Sequence, residues 1–92
     1  MAQELECGAF VFHCTSETED ECIRLSLLGM PDTAANRRAT ARIGPDTAVY
    51  LFNTATRELM GRFRARGAPG LAHERGAWRG RFAWQLRVAR AA

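Results

Sequence analysis

Apolar residues in the last third of the chain fall on every second position. Phe82, Trp84, Leu86 and Val88 alternate with Arg81, Ala83, Gln85 and Arg87, the period-two pattern of a strand with one buried and one polar face. Gly8-Ala-Phe-Val-Phe-His-Cys14 is a short apolar run rich in aromatic and β-branched residues, which predicts a first, central strand. Ala48-Val-Tyr-Leu-Phe52 predicts another strand. Asn53-Thr-Ala-Thr56 reads as a turn, and Glu58 to Arg66 as the returning hairpin partner.

Between these strands the pattern changes. Thr15 to Glu21 reads as a helix start, because Ser16 with Glu19, or Thr18 with Glu21, has the capping-box spacing. Acids there also favour the positive end of the helix dipole. Cys22, Ile23, Leu25, Leu27 and Leu28 supply the apolar side of that helix, and Gly29 with Pro31 reads as its stop. Met30 to Arg38 reads as a polar, mobile connector. Thr40 to Ile43 reads as a short strand ended by Gly44-Pro45-Asp46. The stretch from Gly67 to Arg79 reads as a loop with one helical turn near Leu71 to Glu74. The sum is an α+β fold: a small β-barrel of about five to six strands with one main α-helix packed on it.

With 92 residues there is room for one core. We read residues 1–7 as a frayed acidic lead-in and residues 8–92 as a single domain. An apolar fraction of 47% excludes intrinsic disorder. No apolar run approaches the ~20 residues of a membrane span. The acidic start is unlike a secretory signal, so the expected location is intracellular, cytoplasmic or nuclear. Cys7, Cys14 and Cys22 form no Cys-x-x-Cys pair and read as small buried hydrophobes rather than a disulfide framework or a metal site.

Charge changes the picture most. All 13 basic residues are arginine. Residues 1 to 22 carry Glu4, Glu6, Glu17, Glu19, Asp20 and Glu21 and no basic residue. Residues 57 to 90 carry nine arginines against Glu58 and Glu74. Alternation on the strand after the hairpin turn places Arg62, Arg64 and Arg66 on one face, ~6.6 Å apart. Arg79 and Arg81 are expected to join them. Planar guanidinium forks on one surface are an electrostatic footprint for phosphate. Trp78, in a glycine-rich loop, is a candidate stacking platform for a base, whereas Trp84 is read as core.

Catalysis is not expected. His13 and Cys14 are adjacent on a strand, so their side chains face opposite sides and cannot form a dyad. His73 is isolated, and no paired carboxylates, phosphate loop or metal cluster are legible. No cofactor is implied.

The order of these pieces resembles the plant DCD (development and cell death) domain. Gly8 to Cys14 resembles its opening G-x-I-F-x-C strand. Glu21-Cys22 with Leu28-Gly-Met-Pro31 resembles its E-C…F-G-L-P segment. Ile43-Gly-Pro45 with Val49-Tyr-Leu-Phe-Asn53, Arg57-Glu-Leu-Met-Gly-Arg-Phe63, Ala77-Trp78 and Arg81-Phe-Ala-Trp-Gln-Leu-Arg87 resemble the pieces that follow. Met60, Ala83, Trp84 and Leu28 depart from the usual residues. The family is similar in layout to PUA-like barrels, including the YTH readers of methylated adenine. Trp78-Arg-Gly-Arg-Phe82 resembles the YTH W-K-G-R-F segment, whose tryptophan contributes to an aromatic cage. No aromatic stands at the second cage position, where this chain reads Gly29-Met-Pro31.

The resemblance implies a pocket between the end of the first strand and the Trp78 loop, with His13, Thr15 and Asn53 as its polar wall. The expected ligand is RNA or a nucleotide-like molecule. Protein partners in stress or cell-death signalling are the alternative, through an apolar patch of Met30, Leu71 and Trp84.

Overall fold

The computed structural model describes residues 2–5 and 8–91. Its elements are β1 (Ala2–Glu4), β2 (Phe10–Cys14), α1 (Ser16–Leu25), β3 (Leu27–Met30), α2 (Ala34–Thr40), β4 (Val49–Asn53), β5 (Glu58–Ala65), β6 (Gly70–Leu71), a 3-10 turn (Ala77–Gly80) and β7 (Trp84–Arg90). The hydrogen-bonded path runs β1-β2-β4-β5-β7-β3 and curls into a nearly closed α+β barrel. β6 pairs β7 on the side opposite β3, since Gln85 faces both Gly29 and Gly70.

β2 and β4 run parallel at the centre, with Phe10 opposite Val49 and Cys14 opposite Asn53. Alternation decides which side chains reach the core. Phe10, Phe12 and Cys14 point in with Val49 and Leu51, while Val11, His13, Tyr50 and Phe52 point out. Leu27, Leu28, Met30, Phe63, Trp78, Leu86 and Val88 join them in the core.

Several local expectations change. α1 stops at Leu25 because Ser26 adopts a left-handed conformation (φ 51°) and its N–H returns to the Cys22 and Ile23 carbonyls. Leu27 and Leu28 therefore start β3 instead of finishing the helix, and Gly29 lies within a strand. The cap is Thr15 with Thr18, not either predicted pair: the Thr15 N–H donates to Thr18 Oγ1 at 3.0 Å. That leaves the helix acids free for other partners.

The segment read as a mobile connector folds into α2. Thr33 Oγ1 accepts from the Asn36 N–H at 3.0 Å, Asn36 Nδ2 donates to the Pro31 carbonyl at 2.8 Å, and Arg37 grips Asp32 with two hydrogen bonds of 2.6 and 2.9 Å. The Arg37 guanidinium holds the Asp32 carboxyl below its ordinary range. Thr40 to Ile43 accordingly closes a helix and a turn, not a strand. Leu71 belongs to β6, so no helical turn forms at Leu71–Glu74; the turn comes later, at Ala77. The acidic start contributes an edge strand, β1 pairing antiparallel with β2. Cys7 lies outside the described residues.

Candidate functional site

Trp78 organises one end of the barrel, but from inside. It is 2% exposed, so it is no open stacking platform. Trp78 and Arg79 both have left-handed backbone (φ 49° and 56°), a conformation costing roughly 1–3 kcal/mol per non-glycine residue unless its surroundings hold it. Two residues of α1 do so. The Trp78 backbone N–H donates to Glu21 Oε2 at 2.6 Å, and indole Nε1 donates to the Thr18 carbonyl at 3.1 Å. The ring packs edge-to-face on Phe82, with centroids 5.6 Å apart.

Two polar side chains that look like wall material are spent on structure. Asn53 is 1% exposed. Its Oδ1 accepts from the Ala55 and Thr56 N–H groups at 2.8 and 3.1 Å, and its Nδ2 donates to Glu19 Oε1 at 2.8 Å. It fixes the β4–β5 turn and has no free edge for a ligand. Gln85, which alternation assigns to the polar face, is buried as well. Its Oε1 accepts from the Glu74 N–H at 2.8 Å, and its Nε2 donates to the Glu74 and Phe82 carbonyls at 3.1 and 2.9 Å. It anchors the long loop before β7. A polar residue at a strand start after a glycine-rich loop is the only sequence signal for that role.

Four of the remaining predicted residues, His13, Thr15, Arg79 and Arg81, do come together. His13, Cys14, Thr15, Glu17, Thr18, Thr54, Arg81 and Phe82 line a cavity of about 310 Å³ at the carboxyl end of β2. A second cavity of about 540 Å³ adjoins it through Glu17, Thr18 and Arg81, and adds Glu21, Trp78 and Arg79. Together they form one cleft along the first half of α1. Arg79 and Arg81 are exposed at its mouth and are in no ion pair with a described acid. Arg81 Nε donates to the Trp78 carbonyl at 3.4 Å, and its guanidinium lies 5.5 Å from the Phe82 ring centroid. His13 stands edge-on to Phe52 at 6.1 Å. Partial desolvation there lowers its pKa, which favours a neutral ring.

The arginine comb lies elsewhere. Phe63 sits opposite Val49, and Val49 opposite Phe10, so Arg62, Arg64 and Arg66 flank the amino ends of β2 and β4. The cleft is at their carboxyl ends. Arg79 and Arg81 therefore do not extend the comb.

Trp84, read as core, is only half-buried. α2 covers it: Arg37 lies 4.5 Å over its ring, and its Nε1 donates to Thr40 Oγ1 at 3.0 Å. Met30, placed in an exposed apolar patch from sequence, is fully buried; Leu71 is exposed. Cys14 and Cys22 are buried free thiols, and burial pushes them up to about 11 and about 12.

The fold is thus a small α+β barrel whose tryptophan-bearing turn is pinned to its main helix beside an open cleft. The chain belongs to the Development and cell death domain family, whose sequence profile matches residues 8–92. No curated protein and no solved structure matches it.

Proposed function

We propose that this domain is a non-enzymatic binding module for RNA, taking one unpaired nucleotide in the cleft between α1 and the Trp78 turn. The observation that carries this reading is the pair of guanidiniums, Arg79 and Arg81, in no ion pair with a described acid, at the mouth of a cleft walled by His13, Thr15 and Thr54. Guanidiniums suit phosphate, and hydroxyls with a neutral imidazole suit base and sugar edges. Glu17 lies in both cavities. A carboxylate repels phosphate but accepts from the exocyclic amine of a base, so Glu17 orients the ligand with its base inward and its phosphate toward Arg81. Trp78, itself buried, acts as a positioning residue: it holds Arg79 and Arg81 at the rim.

Titrating a short fluorescent RNA at rising salt tests this reading. Two phosphate contacts give a slope of log affinity on log salt near −1.4. Affinity that is absent, or indifferent to salt, sinks it. A protein-interaction role in stress or cell-death signalling is the second reading. It is favoured by Leu71, 58% exposed and paired in register with Trp84, and predicts concentration-dependent association or a protein ligand at that edge.

A further inference from the structure

The outer face of the central sheet carries a row of rings. Register pairs Val11 with Tyr50 and His13 with Phe52 across β2 and β4, and Phe52 with Leu59 across β4 and β5. All five point away from the core. Val11, Tyr50 and Phe52 are half-buried, His13 is exposed, and Leu59 is 60% exposed. Tyr50 lies flat on the sheet, because Gly61 beneath it has no side chain: a β-carbon there would stand 2.6 Å from Tyr50 Cδ1. The ring also borders an open groove of about 780 Å³ with Leu5 and Pro45.

Two observations say what covers this face. The first is charge: Arg62 and Arg64 project beside it from β5, exposed and in no ion pair with a described acid. The second is continuity: His13 lines the cleft and also stands edge-on to Phe52, so cleft and sheet face meet at one side chain.

We propose that the outer face of β2, β4 and β5 is a second RNA-binding surface, a stacking platform for the single strand that leaves the cleft. The inference rests on the reading of the ligand as RNA. One base lies against Phe52 beside His13, the next on Tyr50, and Arg62 and Arg64 hold the phosphates at the far end. The two rings are two residues apart on one strand, ~6.6 Å, which suits an extended strand placing one base on each ring. Stacking on aromatic side chains is sequence-tolerant, because every base presents a π-face. The cleft then selects a nucleotide, and the platform adds affinity only for longer strands.

The test compares adenosine monophosphate with a ten-nucleotide single-stranded RNA on the wild type and three folded variants. The Tyr50→Leu/Phe52→Leu variant removes the rings and keeps apolar packing. Arg62→Gln/Arg64→Gln removes the phosphate contacts from exposed positions and serves if the first variant fails to fold. Arg81→Gln disables the cleft. Either platform variant is expected to weaken the ten-nucleotide RNA about tenfold and leave the mononucleotide unchanged, whereas Arg81→Gln weakens both. Ten-nucleotide affinity within twofold of wild type in folded platform variants overturns the platform. So does a wild-type protein that binds no RNA but self-associates through Leu59. A mononucleotide that never binds, with a ten-nucleotide RNA still sensitive to the platform variants, supports the platform and sinks the cleft.

Discussion

The ring of Trp78 occupies the space where a side chain on Gly29 would be: a β-carbon built there stands 2.4 Å from Trp78 Cζ3 and 2.8 Å from Cη2. Glycine at position 29 and tryptophan at position 78 are one requirement, although 49 residues apart. Glu21 and Thr18 complete it by holding the Trp78 backbone and indole N–H groups. Two separate pieces of the family resemblance, Glu21-Cys22 with Gly29, and Ala77-Trp78, thus converge on a single packing unit.

Gly29→Ala is expected to destabilise the protein by about 1–3 kcal/mol, the range for overpacking a tight core. For a chain this short, that lowers the melting temperature by roughly 4–8 °C per kcal/mol. Combining it with Trp78→Leu opens room for the methyl group, so the double variant loses less than the sum of the singles. Additive losses in thermal melts would show that the two residues are not coupled.

Glu21 separates hydrogen bonding from charge. Glu21→Gln retains an oxygen that can accept from the Trp78 N–H and is expected to stay close to wild type. Glu21→Ala orphans an N–H in a strained turn and costs about 1–3 kcal/mol. Amide exchange at Trp78 should accelerate in the alanine variant and not in the glutamine one. Equal behaviour of the two would remove Glu21 from this role.

Gln85→Ala removes three hydrogen bonds at once, orphans the Glu74 N–H and leaves the Glu74 carbonyl with the Ala77 N–H at 3.3 Å. The expected loss is at least ~2 kcal/mol, with amide exchange rising at Glu74. Gln85→Glu keeps the acceptor but turns a carboxylate oxygen toward the buried Glu74 and Phe82 carbonyls, and should lose at least as much as alanine. A denaturation midpoint unchanged in Gln85→Ala contradicts the anchoring role.

Strand content was readable from alternation: β2, β4, β5 and β7 all lie close to where their apolar spacing puts them. The helix end was not, because Leu25, Leu27 and Leu28 suit a helix as well as a strand, and only the left-handed Ser26 separates them. α2 was hidden by Pro31 and Asn36, which read as loop residues: Pro31 precedes the helix, and its carbonyl accepts from Asn36 Nδ2 in the first turn. The tryptophans illustrate the limit of one-dimensional reading. Trp84 has the core spacing and ends half-buried under Arg37; Trp78 has a loop context and ends inside. Burial there is decided by Gly29 and by α2, both far away in sequence. His13, Thr15 and Arg81 do line one cavity, whereas the burial of Asn53 depends on its half-buried partner Glu19, which belongs to a different element.

Alkaline stability follows from the thiols. Burial raises Cys14 from 9.0 to about 11 and Cys22 from 9.0 to about 12, so the folded state binds these protons more tightly than the unfolded chain. Their contribution is complete below pH ~9 and is lost as pH rises from there toward the folded values, at up to about 1.4 kcal/mol per pH unit for each thiol. Urea denaturation at pH 8 and pH 10 should show this fall, flattened in Cys14→Ala/Cys22→Ala. Equal wild-type stability at both pH values contradicts it.

The cleft is tested most directly by titrating isotope-labelled protein with adenosine monophosphate and following backbone and side-chain resonances. The expected result is saturable shifts confined to His13, Thr15, Glu17, Thr54, Arg79 and Arg81, suppressed in Arg81→Gln and weakened by salt. No shifts at millimolar nucleotide, or shifts that leave these residues untouched, would contradict nucleotide binding in the cleft.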